Sequence, residues 1–433
     1  MKKEFWKYVI PSMISSLVGG IYVSIDGLFV GRAVGDLGIA AINLAWPIAA
    51  IILAIGTGIG MGGAINISNH LGAGRKDKAN KSLGNTLSLL IIASFILTMS
   101  TLLFAKPLLI IMGAQGEILD LGFRYIRVIG LGAVFQVMGT GVTPLLRNQN
   151  KSWLAMVLMI SNFAIDTILS GIFVMVLGLG VTGAAAASLI GQTFALIPSL
   201  FILFKKENRV ALTNYLLDVK LVQSIFKVGV SPFGLSFIPS LTIVIINWQA
   251  KKIGGTTAIA AYAVISYILS AGQLLLQGIG DGSQPLISFY NGANNLSAVK
   301  RLRKWTYEIS CITGILVMSG IILLTNHIPI LFGVSKETTI MLHTALPLCG
   351  ISLPLFALTR VASAYFYAIK ESLKASLLIY SEVMVILPIC VLLLPVLFDL
   401  TGLWLALVMT QLLLLIFSLI LTGCKKIPIR EGS

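Results

Sequence analysis

This chain is poor in charge. Only 11% of its 433 residues are Asp, Glu, Lys or Arg, where a soluble domain carries about 25%. With a mean hydropathy of +0.96, that excludes a soluble globular protein. Three histidines, His70, His327 and His343, stand far apart, so no metal site can be assembled from them at ligand spacing. The four cysteines, Cys311, Cys349, Cys390 and Cys424, lie in or at the end of apolar runs without paired spacing. They read as small buried hydrophobes, and no disulfide framework is implied. A G-x-x-x-x-G-K-[ST] loop is missing, and no polar stretch could house a nucleotide-binding domain, so ATP-driven transport by this chain alone is excluded. Polar groups inside the apolar runs are isolated, not clustered, which argues against a membrane-embedded enzyme.

What is present is a series of apolar runs from end to end, each about the 20 residues that cross a bilayer as helix. Charged or Gly/Pro-rich joints divide them into twelve spans near 5–31, 38–69, 82–112, 120–146, 152–177, 181–204, 220–251, 257–288, 303–325, 338–367, 373–398 and 401–423. The first begins behind Met-Lys-Lys but carries Asp26 and no small-residue cleavage site, so it is read as a retained span and not a leader. The net charge of +15 does not point to nucleic acid. Most basic residues fall in the N-terminal tail, the even-numbered loops and the C-terminal tail, among them Arg75, Lys76, Lys78, Arg147, Lys151, Arg301 and Lys304. The bias predicts a multi-pass protein with both termini cytoplasmic.

The chain also repeats itself at an offset of about 220 residues. Ile39-Ala40-Ala41-Ile42 recurs as Ile259-Ala260-Ala261-Tyr262, and Leu71-Gly72-Ala73 as Asn291-Gly292-Ala293. Each half holds six spans, so both enter the membrane from the same side. That is a parallel repeat related by an axis along the membrane normal, with a substrate site expected between halves. The reading is an all-α membrane protein of two pseudo-symmetric six-helix lobes, 1–210 and 211–433, joined by the basic segment 205–227.

Ionisable residues inside spans are costly and mark function by default. Here they are Asp26, Asp166, Asp281, Glu382 and Arg360. Asn162 precedes Asp166 by one helical turn, so an amide oxygen and a carboxylate share one face and can hold a proton or a hard cation. A polar helix–helix contact is the plainer alternative. The repeat separates the two: Asp26 corresponds to Ile246 and Asp166 to Ile386, whereas Asp281 corresponds to Met61. Ion coupling in the first lobe and different work in the second is the expectation. Small residues at 56–63 and 183–188 suit close helix packing, and Pro11 marks a place where the first span can bend.

Taken together, Ile25-Asp26-Gly27-Leu28-Phe29-Val30-Gly31, Gly72-Ala73-Gly74, Asn162-x-x-x-Asp166, Gly180 to Ser188 and Gly280-Asp281-Gly282-Ser283-Gln284-Pro285 resemble the MATE family (multidrug and toxic compound extrusion), in its MepA-like branch. The resemblance covers essentially the whole chain. It implies a V-shaped pair of six-helix lobes in a bacterial cell membrane and a non-enzymatic, cofactor-free antiporter. Such a protein exports cationic lipophilic compounds against H⁺ or Na⁺, contributes to antibiotic resistance, and needs only a monomer, the bilayer and its small-molecule substrates. Carried over by position, Asp26, Asn162, Asp166, Ala184 and Ser188 form the ion-coupling site, with Na⁺ at Asp26, Asn162 and Asp166 as one form of it. Tyr22, Met159, Phe163, Trp248, Tyr262, Gln273 and Asp281 are candidates for substrate contact. Some family members carry an acid on the seventh span, where this chain has Ile246-Asn247-Trp248-Gln249. The rival reading is a lipid-linked oligosaccharide flippase of the same superfamily, which would need a cation-lined cavity.

Overall fold

The computed structural model describes residues 1–204 and 211–423, apart from the side chains at 23, 24, 26, 27, 36 and 212. Among the described residues there is no β-strand. The helices are α1 (Lys2–Val34), α2 (Asp36–Gly72), α3 (Lys76–Ile111), α4 (Gly116–Leu131), α5 (Ala133–Asn148), α6 (Ser152–Ser170) and α7 (Gly180–Leu203). A 3₁₀ turn (Leu212–Tyr215) leads into α8 (Val219–Gly292), α9 (Leu296–Leu324), α10 (Ile328–Phe332), α11 (Lys336–Gly350), α12 (Ser352–Ala368), α13 (Ser372–Ser381) and α14 (Leu387–Gly423). π-helical turns extend α6 over Gly171–Val176 and join α13 to α14 over Glu382–Ile386.

Eight of these stretches are long and apolar enough to cross a membrane, and α4 with α5 makes a ninth, bent by 59°. Two of the eight are too long for one crossing. At 1.5 Å per residue the 74 residues of α8 would reach about 111 Å, against roughly 30 Å of hydrocarbon. The helix is broken at Gly255, where φ is 62° and ψ −148°, and the last stretch at Phe398 and Asp399. Gly255 tolerates the positive φ because it has no Cβ. Divided at these breaks, and with the 33-residue α1 counted, the described residues offer twelve candidate crossings.

Two hydrophobic cores form. One gathers residues from Val30 to Leu203 with Ile225. The other gathers residues from Val228 to Leu414, together with Phe5, Tyr8, Val9, Met61 and Ile65 from the ends of α1 and α2. The lobes therefore meet along α1, α2 and α8, and small residues set the spacing. Cβ atoms added at Gly58, Gly62 and Gly229 would strike backbone of the facing helix, as would Cβ atoms at Gly20, Gly278 and Gly282. This is the close approach that glycine permits in lipid.

The linker is fixed too. Asn85 Nδ2 donates to the carbonyls of Asn214 and Leu216, Ser88 Oγ donates to that of Tyr215, and Lys81 pairs with Asp218 at 2.6 Å. Lys81, Asn85 and Ser88 recur at helical spacing, so one face of α3 carries the chain from lobe to lobe. Asp218 then caps α8 by accepting from the N–H groups of Lys220 and Leu221. Residues 205–210 of the expected linker lie outside the described residues.

Candidate functional sites in the two lobes and between them

In the first lobe α6 and α7 carry the expected ion-coupling residues. Asp166 is 3% exposed, and Ser170 Oγ, one turn on, donates to its Oδ1 at 3.4 Å. Asn162 lies one turn earlier, and its buried Oδ1 has no hydrogen-bond donor among the described residues. Such an orphaned buried acceptor calls for a reason. Gly191 of α7 supplies the closeness: a Cβ there would stand 2.8 Å from both the carbonyl oxygen and the Oδ1 of Asn162, and 3.1 Å from the Asp166 Cβ. Ala184 is fully buried on the same helix, and Ser188 Oγ shares a 3.2 Å hydrogen bond with the Tyr22 hydroxyl of α1. Tyr22 in turn stacks on Phe163 at 5.1 Å. Asn162, Phe163, Asp166, Ser188 and Tyr22 thus share the junction of α1, α6 and α7. The Asp26 side chain, named with them from the sequence, lies outside the described residues.

The second lobe has a different polar centre. Arg360 Nη2 donates to Glu382 Oε2 at 2.8 Å, Gln411 Nε2 donates to Glu382 Oε1 at 2.8 Å, and Thr359 Oγ1 donates to Gln411 Oε1 at 3.1 Å. The guanidinium also lies 4.4 Å from the centre of the Phe356 ring. Both ionic partners are over nine-tenths buried, which is tolerable because each charge meets its opposite; Gln411 adds a hydrogen bond to Glu382, while the buried Arg360 Nε has no hydrogen-bond partner among the described residues. Glu382 opens a π-helical turn, a distortion frequent at functional positions. The pair borders a cavity of about 70 Å³, also lined by Tyr262, Ser266, Ser270 and Gln273. That is room for a few waters, not for a drug. Of the substrate candidates, Tyr262 and Gln273 are here, while Trp248 stands apart, 59% exposed with Lys252 over its ring.

Between the lobes, sequence reasoning missed most of what the structure assembles. Ser68 Oγ donates to Asn148 Oδ1 at 2.7 Å, Asn148 and Gln284 exchange hydrogen bonds through their amides, and Gln284 Nε2 donates to Ser288 Oγ. Asn291 Nδ2 donates to Asn69 Oδ1, and Ser288 Oγ to the Ala368 carbonyl. These polar contacts join the two lobes at one end and form a polar seal between them. Arg147, read from the sequence as a loop charge, is instead 6% exposed. Its position one residue beyond an expected span was the only available signal. Tyr367, which gave none, donates from its hydroxyl to Asp281 Oδ1 at 3.1 Å. Met159 Sδ accepts a contact from Arg147 Nη2 at 3.2 Å, so the substrate candidates Met159 and Asp281 each have a polar partner here, Arg147 and Tyr367 respectively. Among the described residues no cluster of three or more His, Cys, Asp or Glu could hold a metal ion.

The family model MatE matches residues 11–172 and again 233–393. The chain belongs to the MatE family. Two successive MatE matches parallel the internal repeat. The multidrug export protein MepA of Staphylococcus aureus (strain NCTC 8325 / PS 47) is 26% identical over 405 residues, covering 92% of this chain and 88% of MepA. MepA of Staphylococcus haemolyticus (strain JCSC1435) is equally similar, 26% over 404 residues with the same coverage. Among solved structures, a MATE protein in complex with MaL6 superposes with a TM-score of 0.90 at 25% identity, over 97% of this chain and 95% of that one. An outward-facing multidrug resistance MATE transporter of the MOP superfamily gives 0.92 at 24% identity, over 97% and 94%. The MatE fold of this chain is therefore the two-lobed one expected from its sequence, and members of the family are transporters.

Proposed function

We propose that this protein is a secondary multidrug exporter that moves lipophilic cations out of the cell in exchange for H⁺ or Na⁺. The observation that carries the reading is the junction of α6 and α7. There the Asp166 carboxylate is buried one turn from an Asn162 oxygen that lacks a donor, with α7 held against both by Gly191. A proton shared with Asp166 or a bound Na⁺ would satisfy that oxygen, and Asp26, Ala184 and Ser188 complete the proposed site. The ion drives transport only if it binds one arrangement of the lobes more tightly than the other. α1 is the natural reporter of that difference, because Tyr22 joins it to Ser188 and Phe163 while Gly20 packs it against Ala271 of the opposite lobe. In this reading the lobes divide at the linker docked on α3, the bilayer is that of a bacterial cell with both termini inside, and one chain suffices.

Lipid-linked oligosaccharide transport would require several free cations around an anionic pyrophosphate. Arg360 is neutralised by Glu382, and one further buried arginine, Arg147, does not make a cation-lined cavity, which favours the exporter. Expression in cells lacking other drug pumps tests the proposal. Efflux of a fluorescent lipophilic cation should rise on expression and stop when ion gradients are collapsed at constant ATP. Efflux indistinguishable from that of empty-vector cells would refute it.

A further inference from the structure

The face of α3 that carries the linker has a repeat counterpart on α9, about 220 residues further on. Lys81, Asn85 and Ser88 correspond there to Arg301, Trp305 and Glu308. On α3 this face is covered. Lys81 pairs with the Asp218 carboxylate, Asn85 and Ser88 donate to linker carbonyls, and Gly84 lets the Asn214 backbone close in. On α9 no residue among those described plays the part of that linker. Phe5 of α1 meets Trp305 edge to face at 5.8 Å, but Arg301, Lys304 and Glu308 stay exposed.

The residues that differ between the two faces are those that suit an anionic occupant. Asn80, Leu83 and Gly84 of α3 become Lys300, Arg303 and Lys304 on α9, next to Arg301. Among the described residues Lys300 and Arg301 have no ion pair, and Lys304 reaches only Glu308, one turn along the same helix, at 3.8 Å. Arg303 folds over the Tyr365 and Tyr307 rings, at 4.5 and 5.5 Å from their centres, contacts that leave its charge in place. The first turn of α1, Lys2-Lys3-Glu4, adds further net positive charge just ahead of Phe5. Beyond Glu308, the one acid in α9, the same face turns apolar, and Ile312, Ile315 and Leu316 are all exposed. Cations, then a tryptophan, then exposed hydrocarbon along one helix match the profile of a phospholipid, with its headgroup at the membrane surface and its chains below.

We propose that an anionic phospholipid docks on this face, its phosphate on Arg301 and Lys304 and its acyl chains along Ile312 and Leu316. The lipid does for α9 what the Asp218 end of the linker does for α3: it supplies the counter-charge and covers the face. Because Phe5 packs on Trp305, an occupied site also ties the start of α1 to the second lobe. The inference goes beyond the exporter reading and needs only that the chain lies in a bilayer.

Native mass spectrometry of the purified full-length protein tests it, with phosphatidylglycerol and phosphatidylcholine of identical acyl chains as probes. A cation beside an anionic headgroup is worth about fivefold in affinity, so wild type should hold phosphatidylglycerol about twentyfold or more tightly than phosphatidylcholine. Arg301→Gln with Lys304→Gln should bring the two lipids nearly level. Lys76→Gln with Lys78→Gln removes the same charge at the start of α3 and should leave phosphatidylglycerol binding unchanged. Glu308→Gln removes the acid of the face and frees Lys304, so it should tighten phosphatidylglycerol several-fold, a gain that a folding defect cannot imitate. Equal retention of both lipids by wild type would overturn the proposal, even if the α9 double variant failed to fold. So would phosphatidylglycerol binding untouched by Arg301→Gln with Lys304→Gln. Equal losses from the α9 and α3 variants would also overturn it, because they mark a general attraction to basic loops.

Discussion

Gly72 and Gly292 make the same contact from opposite lobes. A Cβ on Gly72 would strike the carbonyl of Phe289, and a Cβ on Gly292 would strike the carbonyl of Asn69. Phe289 and Asn69 are themselves repeat partners, so the two contacts are exchanged by the pseudo-two-fold axis between lobes. The hydrogen bonds obey it too: Ser68 Oγ lies 3.5 Å from the Asn148 carbonyl it approaches, and Ser288 Oγ 3.0 Å from that of Ala368. The axis lies within the polar seal at that end of the lobe interface.

Filling these gaps should therefore open that end. Gly72→Ala and Gly292→Ala each add an atom where backbone already stands, at about 1 to 3 kcal/mol against the closed arrangement. A cysteine placed by Ser288→Cys, buried in the seal, should then be alkylated faster in membrane vesicles. An unchanged alkylation rate would show that the seal does not depend on this packing.

The buried pair of the second lobe predicts an asymmetry between single and double substitution. Glu382→Ala leaves the Arg360 guanidinium without its counter-charge and should cost about 3 to 5 kcal/mol. Arg360→Met with Glu382→Leu removes both charges and should recover most of that loss. Thermal unfolding of purified protein in detergent measures both. A double variant as unstable as the single one would mean that hydrogen bonds to Thr359 and Gln411, and not charge, dominate the network.

Gly191 offers a test of the first-lobe site that leaves its polar residues in place. Gly191→Val should push α7 away from Asn162 and Asp166 and abolish gradient-driven transport, with Gly139→Ala as a control, since no atom lies within 4 Å of an added Cβ there. Equal transport by both variants would detach the site from coupling.

The linker contributes a pH-dependent term of known sign. The hydrogen bond from Lys81, aided by the Leu221 N–H, holds the Asp218 carboxyl below the usual carboxylate range. A depressed native pKa stabilises fully above the unfolded value of about 3.9 and loses its effect as pH falls through the native value. Asp218→Asn keeps the helix cap but removes the charge. Its Tm should lie below wild type at neutral pH and converge with it under acid conditions. A gap that persists at low pH would assign the effect to hydrogen bonding alone.

The spans and their pairing into lobes were legible because lipid imposes long apolar runs, and basic loops punctuate them. Gly254-Gly255 and Asp399, joints in the sequence reading, are the places where the helices break. Asn162 and Asp166 were legible through helical spacing alone. The burial of Arg147 was not. Arg147 lies at the end of α5, and nothing local tells whether such an arginine points to water or turns inward. It turns inward onto Ser15 and Met159, and Ser15 stands more than 130 residues away in sequence, so only tertiary packing brings the two near. The Arg360–Glu382 pair was visible as two charges in apolar runs, but their contact required the lobe to fold.

The central claim is that a buried first-lobe carboxylate couples an ion gradient to drug export. Proteoliposomes loaded with a fluorescent lipophilic cation, under separately imposed pH and sodium gradients, test it most directly. Wild type should transport under at least one of the two gradients, and Asp166→Asn should fall at least about tenfold, toward the rate without a gradient, as expected for loss of a group that must carry the ion. Gradient-driven transport by Asp166→Asn at the wild-type rate would contradict the account.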